Sequence, residues 1–142
     1  MAVAAAVLAA DQLSKAWAVE ALDRHPIALL GPVRLALTRN RAAAFGLGGD
    51  LVPFLAIAVL GLVVLAATRG RATTRRAMAV GVGLVVGGAF GNLADRAFRS
   101  PGLLRGAVVD FIDLRWWPVF NLADTAITFG CVVLLLASRR AS

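Results

Sequence analysis

LVPFLAIAVLGLVVLAA, residues 51–67, is a run of seventeen residues without a charged or hydrogen-bonding side chain. A helix of this composition approaches the ~20 residues needed to cross ~30 Å of hydrocarbon. Three further apolar stretches surround it. One covers about residues 1–20 and is rich in alanine; AMAVGVGLVVGGAFGNLA starts at Ala77; the last runs from about Val119 to Ala137. The reading is a single membrane-embedded domain over residues 1–142, all-α, with four transmembrane helices at about 1–20, 51–68, 77–95 and 119–137. Composition agrees, because 60% of the residues are hydrophobic where a soluble domain runs nearer half. The first stretch resembles a secretory signal, but Lys15 is the first basic residue and no positive region leads it. It is read as a retained span, with part of a natural N-terminus expected to precede it.

The net charge of +7 raises nucleic acid as a partner, but the arginines flank apolar runs and form no single stripe. Anionic membrane phospholipid is the better match. The link RGRATTRR carries Arg69, Arg71, Arg75 and Arg76, and the tail carries Arg139 and Arg140. Positive segments stay cytoplasmic, which puts both termini inside and the connections at about 21–50 and 96–118 outside. In the first of these, ALLGPVRLALTRN has a Gly-Pro turn and partial alternation, so a short hairpin lying on the membrane is expected. Trp116 and Trp117 mark the outer boundary before the fourth span. Gly83, Gly87 and Gly91 form a small-residue face that admits a neighbouring helix, within the chain or in a dimer; one copy is expected to suffice for function. The dinucleotide-loop reading of these glycines fails, since Val86 stands where its third glycine belongs.

One cysteine, Cys131, excludes an internal disulfide, and one histidine, His25, leaves little for zinc. No metal or other cofactor is expected, and carboxylates become the main candidates. Ionisable groups within a span are costly and mark function. Asp11 and Lys15 share a face of the first span and read as a self-neutralising brace. Asn92, Asp95 and Arg96 share a face near the end of the third span, Asp95 orienting and Arg96 reaching toward substrate or headgroup. Asp110 lies in AVVDFID and Asp124 in PVFNLADTAITFG, at one membrane depth, with Asn121 a turn before Asp124. Asp113 is expected to pair with Arg115 in solvent. Two carboxylates in a poorly hydrated site share one proton; the ionised member can activate water while the protonated one polarises a carbonyl. A proton-coupled carrier could also use intramembrane carboxylates, but the inverted repeats common in such proteins are not apparent. A Ser14–Lys15 protease is disfavoured because sequence neighbours point apart, and a scaffold built on the glycine face is the remaining alternative.

DQLSK at Asp11–Lys15, TRNRAAAF at Thr38–Phe45, GGAFGNLADR at Gly87–Arg96, VVDF at Val108–Phe111 and FNLADTAI at Phe120–Ile127 together resemble the lipoprotein signal peptidase (signal peptidase II) family, over nearly the whole chain. The resemblance implies a metal-independent aspartyl endopeptidase of the bacterial cytoplasmic (inner) membrane, its active site near the outer face. It would cleave the signal peptide of a diacylglyceryl-modified prolipoprotein just before the lipidated cysteine, and globomycin would block it. The implied catalytic pair is Asp110 and Asp124, supported by Asp11, Lys15, Asn40, Asn92, Asp95, Arg96 and Asn121, with Gly88 and Ala123 as close-packed neighbours. A small β-cradle and a short amphipathic helix would fall in about residues 21–50. Ala42 stands where that family usually carries glycine.

Overall fold

The computed structural model describes residues 1–41, 75–101 and 105–139. The second apolar stretch, Ala42, the amphipathic segment expected before residue 50, and Arg69, Arg71 and Arg140 of the basic segments lie outside them. Three long helices are present among the described residues: α1 (Ala2–Ala21), α2 (Arg75–Phe98) and α3 (Leu122–Arg139). By length and hydropathy, α1 and α2 can each cross a bilayer, whereas the apolar helix Leu122–Ser138 is somewhat shorter.

The burial pattern of α1 is the reverse of a soluble helix. Its fully buried residues are Asp11, Lys15 and Ala18, while Leu13 and Trp17 lie exposed. In α3, Phe129, Val132, Leu135 and Leu136 are likewise exposed. Polar groups turned inward and large apolar groups turned outward are what a hydrocarbon solvent selects.

Backbone-to-backbone approach holds the helices together. A Cβ on Gly83 or Gly87 of α2 would collide with Val3, Ala4 or Val7 of α1, and one on Gly91 would collide with the Asp11 carboxylate. The small-residue face therefore serves an internal contact. A second set, Gly81 and Gly88 on α2 with Gly130 on α3, seats α3; the Cβ of any larger residue at Gly88 would strike the Ala123 carbonyl and Ile127.

The expected hairpin is present and belongs to a larger element. Strands β1 (Ile27–Ala28) and β2 (Arg34–Asn40) pair antiparallel around a turn in which Gly31 has φ +55°. A third strand, β3 (Val108–Asp113), pairs with β2, completing an antiparallel sheet of order β1-β2-β3. The expectation placed β structure only in the first outer connection. The second supplies this strand, which the sequence hid because VVDFID is buried almost throughout and shows no alternation of period two. Val109 and Phe111 pack with Ala18 and Leu22, and Leu35 and Leu37 close over them. The end of α1 thus forms the platform for the sheet.

The helix boundaries differ modestly from expectation. Most consequential is α3, which begins at Leu122 instead of about 119. Phe120 is bound to β3 first, its N–H donating to the Ile112 carbonyl while its own carbonyl accepts from Phe111 and Ile112.

Candidate active site

Asn121 is the residue before α3, and its surroundings place both aspartates. Its Oδ1 accepts from the Asp124 N–H at 3.0 Å, and its own N–H donates to Asp124 Oδ2 at 3.2 Å. This is a reciprocal cap on the first turn of a helix. The cap fixes the Asp124 backbone and turns the free amide edge of Asn121 toward β3. Asn121 Nδ2 donates to Asp110 Oδ1 at 2.7 Å and to the Asn92 Oδ1 at 3.1 Å. Asn92, on α2, donates from Nδ2 to Asp124 Oδ1 at 2.8 Å. One asparagine therefore touches both aspartates, and a second touches Asp124 and the first.

Asp110 is 2% exposed. Burial pushes its carboxyl up to about 6; a hydrogen bond from Asn40 opposes the shift, the Asp124 charge adds to it, and Asn121 opposes it. Strand register accounts for Asn40. Thr38 pairs with Asp110 and Asn40 with Val108, so Asn40 and Asp110 lie on the same face of the pleat. Asp124 is half-buried and lines an open apolar groove of about 450 Å³ with Trp116, Trp117, Phe120 and Phe129.

Beneath the aspartates lies a buried ionic cluster. Lys15 Nζ donates to Asp11 Oδ2 at 2.8 Å, Asn92 Oδ1 at 2.9 Å and Asp95 Oδ2 at 3.0 Å. Its three donors are thereby all used. By binding the Asn92 carbonyl oxygen, Lys15 directs the Asn92 amino group at Asp124. The expected Asp11–Lys15 brace is present, but it reaches further: Asp11 Oδ1 accepts the Ala123 N–H at 2.9 Å, so α1 ties down the N-terminus of α3.

Asp95 is held by Lys15 and by Arg99, whose Nε lies 2.6 Å from Asp95 Oδ1, one turn on along the helix. Asp95 Oδ2 also accepts the Val109 N–H at 3.1 Å, locking β3 to α2. Arg96, half-buried, feels the charges of Asp110, Asp95 and Asp124. Asp113 is not paired with Arg115 through side chains in solvent. Register places it opposite Arg34, whose Nε lies 2.6 Å from Asp113 Oδ2, with the Asp113 side chain 7% exposed. Arg115 contributes its backbone N–H at 2.7 Å from a left-handed turn at φ +69°. That hydrogen bond, with Arg34, holds the Asp113 carboxyl below its ordinary range.

Gln12, Arg34 and Arg99 were not among the residues singled out by sequence. Gln12 Nε2 donates to the Gly91 carbonyl at 3.0 Å and to Asp11 Oδ2 at 3.2 Å, bridging α1 and α2. Its signal was its polarity within an apolar span. Ser14 donates to the Asp11 carbonyl of its own helix at 2.8 Å, and the Lys15 amine is committed elsewhere, which leaves a Ser–Lys pair without geometry.

Helices with apolar outer faces that bury Asp11, Asp95 and Asp110 and half-bury Asp124 beside Lys15, Arg96 and Arg99, with a sheet closed over them, have the frame of a membrane enzyme. The fold matches a solved structure described as a bacterial membrane enzyme determined in meso at 1.9 Å, with TM-score 0.74, 25% identity, and coverage of 99% of this chain and 92% of that one. A second, at 2.3 Å, gives TM-score 0.71. Residues 3–140 match the family model for signal peptidase (SPase) II, and the chain belongs to that family. It is 43% identical to the lipoprotein signal peptidase of Rhodococcus jostii over 94% of this chain and 69% of that protein. Identity to the Mycobacterium avium lipoprotein signal peptidase is also 43%, over 97% and 77% respectively. The chain is thus a peptidase of the bacterial membrane, and the carrier reading is not favoured.

Proposed function

We propose that this chain is an aspartyl endopeptidase that removes signal peptides from diacylglyceryl-modified prolipoproteins, cleaving before the lipidated cysteine with Asp110 and Asp124 as the reacting pair. The observation that carries the reading is the Asn121 side chain, hydrogen-bonded at once to Asp110 and, through its cap, to Asp124. Charge bookkeeping supports it. Four buried or half-buried carboxylates, Asp11, Asp95, Asp110 and Asp124, face Lys15, Arg96 and Arg99, so a single shared proton balances the cluster. The raised Asp110 is its natural holder.

In the forward step, Asp124, which faces the groove, takes a proton from water as the oxygen attacks the scissile carbonyl carbon. Asp110 gives its proton to the carbonyl oxygen, and a neutral gem-diol forms. Collapse reverses the roles: the diol returns a proton to Asp110, the carbon–nitrogen bond breaks, and the proton on Asp124 passes to the leaving amine of the lipidated cysteine. Both carboxyls regain their starting states. Asn40, Asn92 and Asn121 orient the pair, and Arg96 stabilises negative charge beside it. One copy of the chain performs the reaction, with both termini cytoplasmic and the pair at the outer face of the inner membrane.

The test is cleavage of a diacylglyceryl-modified prolipoprotein by the purified chain in detergent. Asp110→Asn and Asp124→Asn are each expected to lose at least about a thousandfold in turnover, the scale of removing a member of a coupled catalytic unit. Ser14→Ala and added chelator should leave the rate unchanged. Full activity in either aspartate variant would remove the proposal.

A further inference from the structure

We infer that Arg39, Arg41 and Arg99 form a phosphate site, filled by the headgroup of an anionic lipid, on the sheet face turned away from the aspartates. Their side chains line a cavity of about 300 Å³ floored by Val19, Ala107 and Val109, with Ser100 at its edge. Strand register separates it from the active site. Arg39 pairs with Val109 and Thr38 with Asp110, and successive residues of a strand point to opposite faces. Arg39 and Val109 therefore share one side, Asn40 and Asp110 the other, and Arg41, just past the end of β2, lines the same cavity as Arg39.

The cavity is rich in positive charge that its neighbours only partly balance. Asp23 lies 3.5 Å from Arg39, but both side chains are more than half exposed, so the pair is weak. Asp95 engages Arg99 through Nε alone, and a guanidinium carries five donors. Among the described residues Arg41 forms no ion pair. Guanidinium forks suit phosphate oxygens in particular.

Depth identifies the source. Val19 lies in the last turn of α1, and Arg99 directly follows the end of α2. Among the described residues these are the two helices long and apolar enough to cross a bilayer, so their ends mark the headgroup level. A cavity lined by three arginines together with Val19, Ala107 and Val109 suits a phosphodiester joined to an apolar glycerol end. The inference rests on the membrane reading of α1 and α2, and not on the aspartate mechanism.

The whole chain, purified in detergent, would be titrated with phosphatidylglycerol, phosphatidylcholine or neutral diacylglycerol of the same acyl chains, and retained lipid counted by native mass spectrometry. The parent is expected to hold phosphatidylglycerol preferentially. Arg39→Gln with Arg41→Gln should weaken that retention roughly thirtyfold, at about 1 kcal/mol for each basic side chain near the surface, and leave the melting temperature within the range of Arg39→Lys with Arg41→Lys, which keeps the charge without the fork and should bind between the parent and the glutamine pair. If inorganic phosphate, with lipid removed, binds in the same arginine-dependent way and displaces the lipid, the site holds and its source is soluble phosphate. Equal retention of the three lipids by the parent, or an unchanged preference in the glutamine pair, overturns the inference.

Discussion

Replacing Asp110 by asparagine measures what it costs this fold to bury an ionised carboxylate. Asp110 rises from 3.8 to about 6, a value already net of the hydrogen bonds from Asn40 and Asn121. A carboxyl raised on folding binds its proton more tightly in the folded chain than in the unfolded one. Its stabilising contribution is therefore complete below about pH 4 and is lost as pH rises through about 6. Keeping the carboxylate ionised in the fold therefore costs about 3 kcal/mol for a shift of about two units, a penalty felt in full at pH 8 and shrinking to about half a kcal/mol near pH 4. Asparagine has nearly the same shape, can still accept from Asn121, and does not titrate. Asp110→Asn is thus expected to be more stable than the parent by about 2–3 kcal/mol at pH 8, and nearly equal to it at pH 4. Thermal unfolding in detergent at both values reads the difference directly. A variant less stable than the parent at pH 8, or a gain identical at the two pH values, would refute the account of burial given for this group.

Three further outcomes follow from the same network. Lys15→Met leaves Asp11 as a buried, uncompensated charge and Asp95 with Arg99 as its remaining ion-pair partner among the described residues, and should cost about 3–5 kcal/mol of stability; Asp11→Asn combined with Lys15→Met should recover part of it in the same unfolding assay. Asn92→Ala removes the side-chain donor to Asp124 Oδ1 while keeping the Asn121 contacts to Asp110 and Asp124, so kcat should fall roughly tenfold to a hundredfold with KM little changed, measured by steady-state cleavage. Because the proposed reaction needs Asp110 protonated, kcat/KM should fall as pH rises through about 6, and a profile flat from pH 5 to 8 would show that this proton is not required.

Much of the site was legible because ionisable residues in apolar runs are conspicuous. Asp11, Lys15, Asn92, Asp95, Asp110, Asn121 and Asp124 each interrupt or adjoin hydrophobic sequence, and the structure gathers all seven into one connected hydrogen-bond network. The partners were less legible. Helical spacing permits Asp95 to pair with Arg99, one turn on, and only packing shows that it does. Arg34 with Asp113 required the β2–β3 register, which joins residues 79 positions apart. β3 itself was hidden because burial on both faces erases the alternation by which strands are recognised.

The sequence by itself determined the solvent, the helices and the chemistry available. Apolar runs of membrane length cannot satisfy their backbone in lipid except as helices, and carboxylates beside those runs are costly enough to mark their own importance. Tertiary structure decided how those groups are paired. Hydrogen bonds from Asn121 to Asp110, from Asn92 to Asp124 and from Ala123 to Asp11 each join different elements of the fold. Each exists because glycine faces let three helices approach closely and because a strand from the second connection was laid over their ends. Spacing along a chain says which side chains share a surface; only the closed bundle sets which surfaces meet.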